Sequence, residues 1–133
     1  MSMDNKRGYD YYPMSTSMDM MDESILVTIR RMLGPSETYD YFDDELIPHI
    51  NSAFNRLKQL GVGPSSGFSI MGDSETWSEF FSDNKVINMV ISYIYLKVKM
   101  LFDPPSNSIT AESFKNQIAE YEWCMNVDAE TVD

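Results

Sequence analysis

Apolar residues dominate positions 85–105, KVINMVISYIYLKVKMLFDPP, and their spacing is helical. Ile87, Val90, Ile91, Ile94, Val98, Leu101 and Phe102 recur at three- and four-residue steps and form one stripe. Met89, Tyr93, Leu96 and Met100 form a second set on a neighbouring face, while Lys85, Asn88, Ser92 and Lys99 leave only a narrow polar strip. Pro104 and Pro105 stop the helix. A helix that is apolar on most sides must be surrounded. It is either the central helix of a small bundle or a helix covered in part by other subunits. In the second case Met89, Tyr93, Leu96 and Met100 are the candidate subunit-interface residues.

Elsewhere the pattern predicts shorter amphipathic helices. Over residues 20–33 the inward stripe is Met21, Ile25, Ile29 and Met32, with Asp19 as cap and Gly34-Pro35 as stop. A second helix is predicted over 41–60. Its stripe is Phe42, Leu46, Ile50, Ala53, Leu57 and Leu60, with Phe54 beside it. Thr38 or Asp40 can cap it, Asp43, Asp44 and Glu45 suit its positive end, and Pro48 should delay or kink it. Residues 61–74, GVGPSSGFSIMGDS, read as one long loop, with Phe68 and Ile70 placed to pin it to the bundle. A short helix over 75–81 carries Trp77, Phe80 and Phe81, and Ser82 or Asp83 then caps the apolar helix. Ser108 or Thr110 opens a last helix, 111–126, with Ala111, Phe114, Ile118, Tyr121 and Met125 inward. The expectation is an all-α fold, a small bundle of four to five helices with one long loop and extended termini. Residues 1–18 form an N-terminal arm, 19–126 the bundle and 127–133 an acidic tail. The arm has no helical or strand period, and its Tyr9, Tyr11 and Tyr12 are candidate partner contacts.

Charge narrows the function. With 21 Asp and Glu against 10 Lys and Arg, the 133-residue chain carries -11. That is the opposite of the basic footprint of a nucleic-acid binder. An anionic membrane is an equally poor partner. The apolar helix is interrupted by Asn88, Ser92, Lys97 and Lys99, too often to span a bilayer comfortably. No opening segment has the order of a secretory signal, and the single Cys124 cannot form an internal disulfide framework.

Catalytic chemistry finds no foothold. His49 is the one histidine, so an imidazole metal site or a nucleophile–base pair lacks its partners. Cys124 has no basic neighbour in sequence to lower its pKa. The Asp43-Asp44-Glu45 run is explained by a helix start, and Gly61-Val62-Gly63-Pro64 lacks the lysine of a phosphate loop. No enzyme, metal or cofactor is expected. Eleven methionines offer adaptable apolar surface. Trp123 lies about 200° around the last helix from Tyr121, on the face opposite its stripe. Such a residue suits an interface.

Five motifs in order carry a resemblance: ILVTIRRMLG, FDDELIPHINSAFNRLKQLGVGP, FSI followed by TWSEF, YIYLKVKMLFDPP and FKNQIAEYEWCMNV. Together they resemble the small head–tail connector, or adaptor, proteins of tailed bacteriophages, from about Asp22 to Glu130. The arm is longer than that family suggests, and Cys124 stands where a basic residue is expected. The resemblance implies a structural virion protein in the neck, present in the host cytoplasm before assembly. It implies a ring of about twelve copies beneath the portal protein. The next neck, stopper or tail-completion protein would bind below, and double-stranded DNA would pass through the lumen without tight binding. It also implies that the C-terminal segment lies near the portal, which makes Trp123, Met125 and Val127 candidate portal-docking residues. The rival reading is a small acidic helical regulator that binds and masks another protein.

Overall fold

The computed structural model describes residues 20–34, 42–81 and 86–131, with side chains through residue 129. Among these residues there are five helices and no strand, an all-α bundle. They are α1 (Ile25–Leu33), α2 (Asp43–Gln59), α3 (Trp77–Phe80), α4 (Ile87–Phe102) and α5 (Ser108–Thr131). The tyrosines of the arm, and Thr38, Asp40, Ser82 and Asp83, lie outside the described residues.

The apolar helix α4 is the axis of the bundle. It packs against α1, α2 and α5, and it buries Ile87, Val90, Ile91, Tyr93, Ile94, Leu96 and Val98. The chain itself therefore supplies most of the cover that the sequence demanded. This corrects one expectation: Tyr93 is 0 % and Leu96 5 % exposed, so neither can face another subunit. Met89 and Met100 remain half-buried. Leu101, expected in the inward stripe, is 55 % exposed, on the ridge between two surface hollows.

Helix α1 starts later than its apolar period suggests. Met20 and Met21 are helical, but Ser24 is extended and forms an isolated bridge with Thr76. The amide of Ile25 donates to the Glu75 carbonyl at 2.9 Å, and that of Trp77 to the Glu23 carbonyl at 3.3 Å. Ser24 caps α1, its Oγ accepting from the Val27 amide; the expected cap, Asp19, lies outside the described residues. The buried set becomes Ile25, Leu26 and Ile29, and Met32 is exposed.

Helix α2 begins at Asp43, five residues before Pro48, and Pro48 lies inside it. The missing donor deprives only the carbonyl of Asp44, in the solvent-exposed first turn, so the helix tolerates it. Arg30 fastens this end by donating from Nη1 to both carboxylate oxygens of Asp43, at 3.0 and 3.1 Å. Phe42 lies outside the buried stripe, edge-on to Phe102 at 5.2 Å between centroids. The other end is a Schellman stop. Val62 N donates to the Leu57 carbonyl and Gly61 N to that of Lys58, with Gly61 at φ +86°.

The long loop is held as expected and by more than its apolar residues. Ile70 is buried, and Phe68 meets Phe54 and Phe80 edge-on. Asn51 adds a two-way clamp on the backbone of Ile70: its Oδ1 accepts from the amide at 2.7 Å and its Nδ2 donates to the carbonyl at 3.0 Å. Trp77 closes the core, donating from Nε1 to Thr28 Oγ1 at 3.1 Å, while Thr28 donates to the Ser24 carbonyl at 2.7 Å.

Candidate functional site

Helix α5 is the longest element, 24 residues or about 36 Å. Asn107, rather than Ser108 or Thr110, caps it; its Oδ1 accepts from the amides of Ile109 and Thr110. The helix continues to Thr131, so residues 127–131 extend α5 and do not form a separate tail. Its inward side is only lightly apolar. Ala111, Phe114, Ile118 and Tyr121 are half-buried and Met125 is the one described residue of α5 that is fully buried.

Met125 is therefore core, at 2 % exposure, which removes it from the candidate docking residues. It lies about 200° from Trp123, so the two cannot share a face. Trp123, in contrast, is 67 % exposed, and Val127 is exposed beside it. Sequence reading missed a third member, Ile109, 78 % exposed. Ile109, Asn116, Glu120, Trp123 and Val127 follow one another at steps of seven, four, three and four residues. That spacing lines them along one outer face. The signal was present in the spacing, but it is visible only once the helix is known to run from 108 past 127.

What orients this face is a polar fastening on the inner side. Tyr93 Oη of α4 donates to Glu122 Oε2 at 2.7 Å, and Arg56 Nη2 of α2 donates to Glu122 Oε1 at 3.1 Å. Three helices thus meet at one carboxylate. Burial pushes the Glu122 carboxyl up, but the hydrogen bonds from Tyr93 and Arg56 and the charges of Arg56 and Lys97 outweigh it, leaving it below the usual carboxylate range. Burial, with help from the neighbouring carboxylate, raises the Tyr93 phenol far beyond its ordinary range. The group is therefore a neutral donor bound to an anion, with no proton to give at physiological pH. Farther along, Asn126 Nδ2 donates to the Leu60 carbonyl at 3.4 Å, and Ala129 lies over Gly61. The arrangement holds a helix in place; it is not built for proton transfer.

A groove of about 340 Å³ opens where α5 crosses the end of α4. Met100, Leu101, Ile118 and Ala119 form its apolar floor, and Lys97, Lys115 and Glu122 its polar walls. Beyond Leu101 lies a second hollow, acidic, lined by Asp44, Glu45, Pro48 and His49. Among the described residues no cluster could hold a metal ion, and no helix is long and apolar enough to cross a membrane. Cys124 is half-buried.

The family model described as phage connector protein matches residues 25–132 of this chain. No curated protein and no solved structure matches it.

Proposed function

The chain belongs to the phage connector protein family, and from that premise we propose that it forms a ring beneath the portal, joining the filled head to the neck and continuing the DNA channel. The observation that carries this reading is the outer face of α5. Ile109, Trp123 and Val127 are apolar, exposed and aligned on a helix that the Tyr93–Glu122–Arg56 fastening holds rigidly. A large exposed aromatic on a rigid element is a costly surface for a monomer and a natural anchor for a partner. The portal is the partner we assign to it, with Trp123 and Val127 as docking residues.

The same ring accounts for the acidity. About twelve chains at -11 each would total on the order of -130, and a lumen of that sign lets DNA slide rather than adhere. Free subunits can stay monomeric and assemble on the portal, which raises their local concentration. The protein is then a structural component of the virion neck, made in the host cytoplasm, with the next neck or tail-completion protein on its lower face.

Electron micrographs of the purified protein, alone and with portal, test the reading. Rings seated on portal are expected, and the Trp123→Ala variant should keep its helical signal while losing them. A one-to-one complex with some other protein, and no ring in any condition, would instead establish the masking regulator.

A further inference from the structure

Met71 is the most exposed large apolar side chain among the described residues, at 88 %. Its backbone is nevertheless fixed. Asn51 holds the amide and the carbonyl of Ile70, and Glu75 Oε2 accepts from the Met71 amide at 2.8 Å. A side chain presented on ordered backbone costs a partner little to cover, and a thioether adapts to the shape that covers it. Asp73, two residues on, is exposed as well. The loop tip therefore offers one unbranched apolar side chain with a carboxylate close to it.

The groove between the ends of α4 and α5 has the complementary form. Its apolar floor includes Ala119 and Leu101, which is 55 % exposed. Of its polar walls, Lys97 and Glu122 act on each other with opposite charges, and Lys115 is exposed at the rim. Lys115 is one helical turn from Ala119, about 5–6 Å between Cβ atoms. Asp73 is at most about 7 Å from Met71 along the chain. A methionine seated on the floor thus brings its carboxylate neighbour within reach of Lys115. Met71 stays exposed in its own molecule, so its own groove does not take it. We infer that the Met71 loop tip of one copy seats in the α4–α5 groove of a second copy, with Asp73 against Lys115. Two different surfaces meet in this contact, so it is head-to-tail and propagates, closing into a ring if the rotation per copy allows. The inference rests on the ring reading and gives it a residue-level joint. Trp123 and Val127 are not among the groove residues and are left to the portal.

Cysteine cross-linking tests the contact. In full-length protein carrying Cys124→Ser, Met71→Cys and Ala119→Cys are introduced together and oxidised in the presence of portal. Both positions are exposed, and circular dichroism verifies that each variant is folded. A ladder of dimer, trimer and higher species is expected, and a mixture of the two single variants should give mixed dimers only. In parallel, Met71→Asp should lower assembly about tenfold or more, whereas Met71→Leu should retain it. Asp73→Lys should lower assembly about two- to fivefold, and adding Lys115→Asp should restore it. Rings on portal without a ladder would overturn the groove contact and leave the ring reading intact. Neither rings nor ladder would overturn both. A ladder without rings on portal would uphold the contact and remove the ring. Dimers that form with Met71→Cys alone would show tip-to-tip pairing and overturn the inference.

Discussion

Helices α4 and α5 lie side by side and are built on opposite rules. In 16 residues α4 buries seven side chains, nearly all aliphatic. In 24 residues α5 fully buries only Met125 among its described residues. The first is held by apolar area, which is large, additive and indifferent to orientation. The second is held by separate fastenings, each of which fixes a direction: Glu122 between Tyr93 and Arg56, Asn126 on Leu60, Ala129 over Gly61. A helix held this way leaves a whole face to a partner while keeping a defined orientation, which is what a docking element needs.

The two tryptophans give the sharpest way to break this comparison. Trp77 is fully buried among Phe54 and Thr28, whereas Trp123 is on the outer face. Trp77→Ala should cost about 3–5 kcal/mol of stability, enough to unfold much of the protein. Trp123→Ala should change stability by less than about 0.5 kcal/mol and yet abolish attachment to portal. Urea titration followed by circular dichroism measures both. Equal losses would mean that α5 is core and that the contrast fails.

A smaller effect is expected at the loop that closes the other end of the core. Gly63 has φ +88°, and a Cβ there would fall 2.4 Å from Cε1 of Phe80. Gly63→Ala combines left-handed strain with displacement of a buried ring, so a loss of about 1–3 kcal/mol is expected. Smaller again is Tyr93→Phe, which keeps the ring in the core and removes one hydrogen bond to Glu122, for about 1 kcal/mol. Its effect should be local. Hydrogen exchange should quicken in α5 and remain unchanged in α1 and α2. Uniform quickening would show that the fastening supports the whole bundle rather than one helix.

The elements held by apolar periodicity were legible in the sequence. The stripe Leu46, Ile50, Ala53, Leu57 and Leu60 is buried as its spacing requires, and Phe68 and Ile70 do tie down the loop. What was not legible depended on long-range polar pairing. Ser24 breaks the first helix because Thr76, far along the chain, pairs with its backbone. Glu122 reads as one more acidic residue until Arg56 and Tyr93 converge on it. The outer face was half legible. The angle of Trp123 around the helix marks it as outward, whereas Met125, two residues on and about 200° away, is buried. On the second face of α4 the period shows that Tyr93 and Leu96 need cover, but not that both are buried within their own chain, Tyr93 beside Glu122 of α5.

The least effect expected, and the most specific, concerns pH. The Glu122 carboxyl lies below its ordinary range in the folded protein, so the folded state binds its proton less readily than the unfolded chain does. Its contribution is therefore fully present above the unfolded value of about 4.3, and is lost as pH falls through the depressed folded value. Arg56 stays charged throughout, its own affinity for a proton raised by the hydrogen bond and charge of Glu122. The Arg56 side chain is 43 % exposed, so solvent screens the pair and the contribution should stay below about 1 kcal/mol. Glu122→Gln retains an acceptor for Tyr93 while removing the charge. The wild type should melt slightly above this variant at pH 7, by about a degree or two, and the gap should start to close below about pH 4.3 and vanish once pH has fallen through the depressed folded value. Salt should narrow the gap at pH 7 and have little influence on it at acid pH below the depressed folded value, where the carboxylate is protonated. A gap that does not change with pH anywhere in the acid range would mean that Glu122 fastens α5 through its shape and hydrogen bonds alone, and that the charge of Arg56 contributes nothing to holding α5.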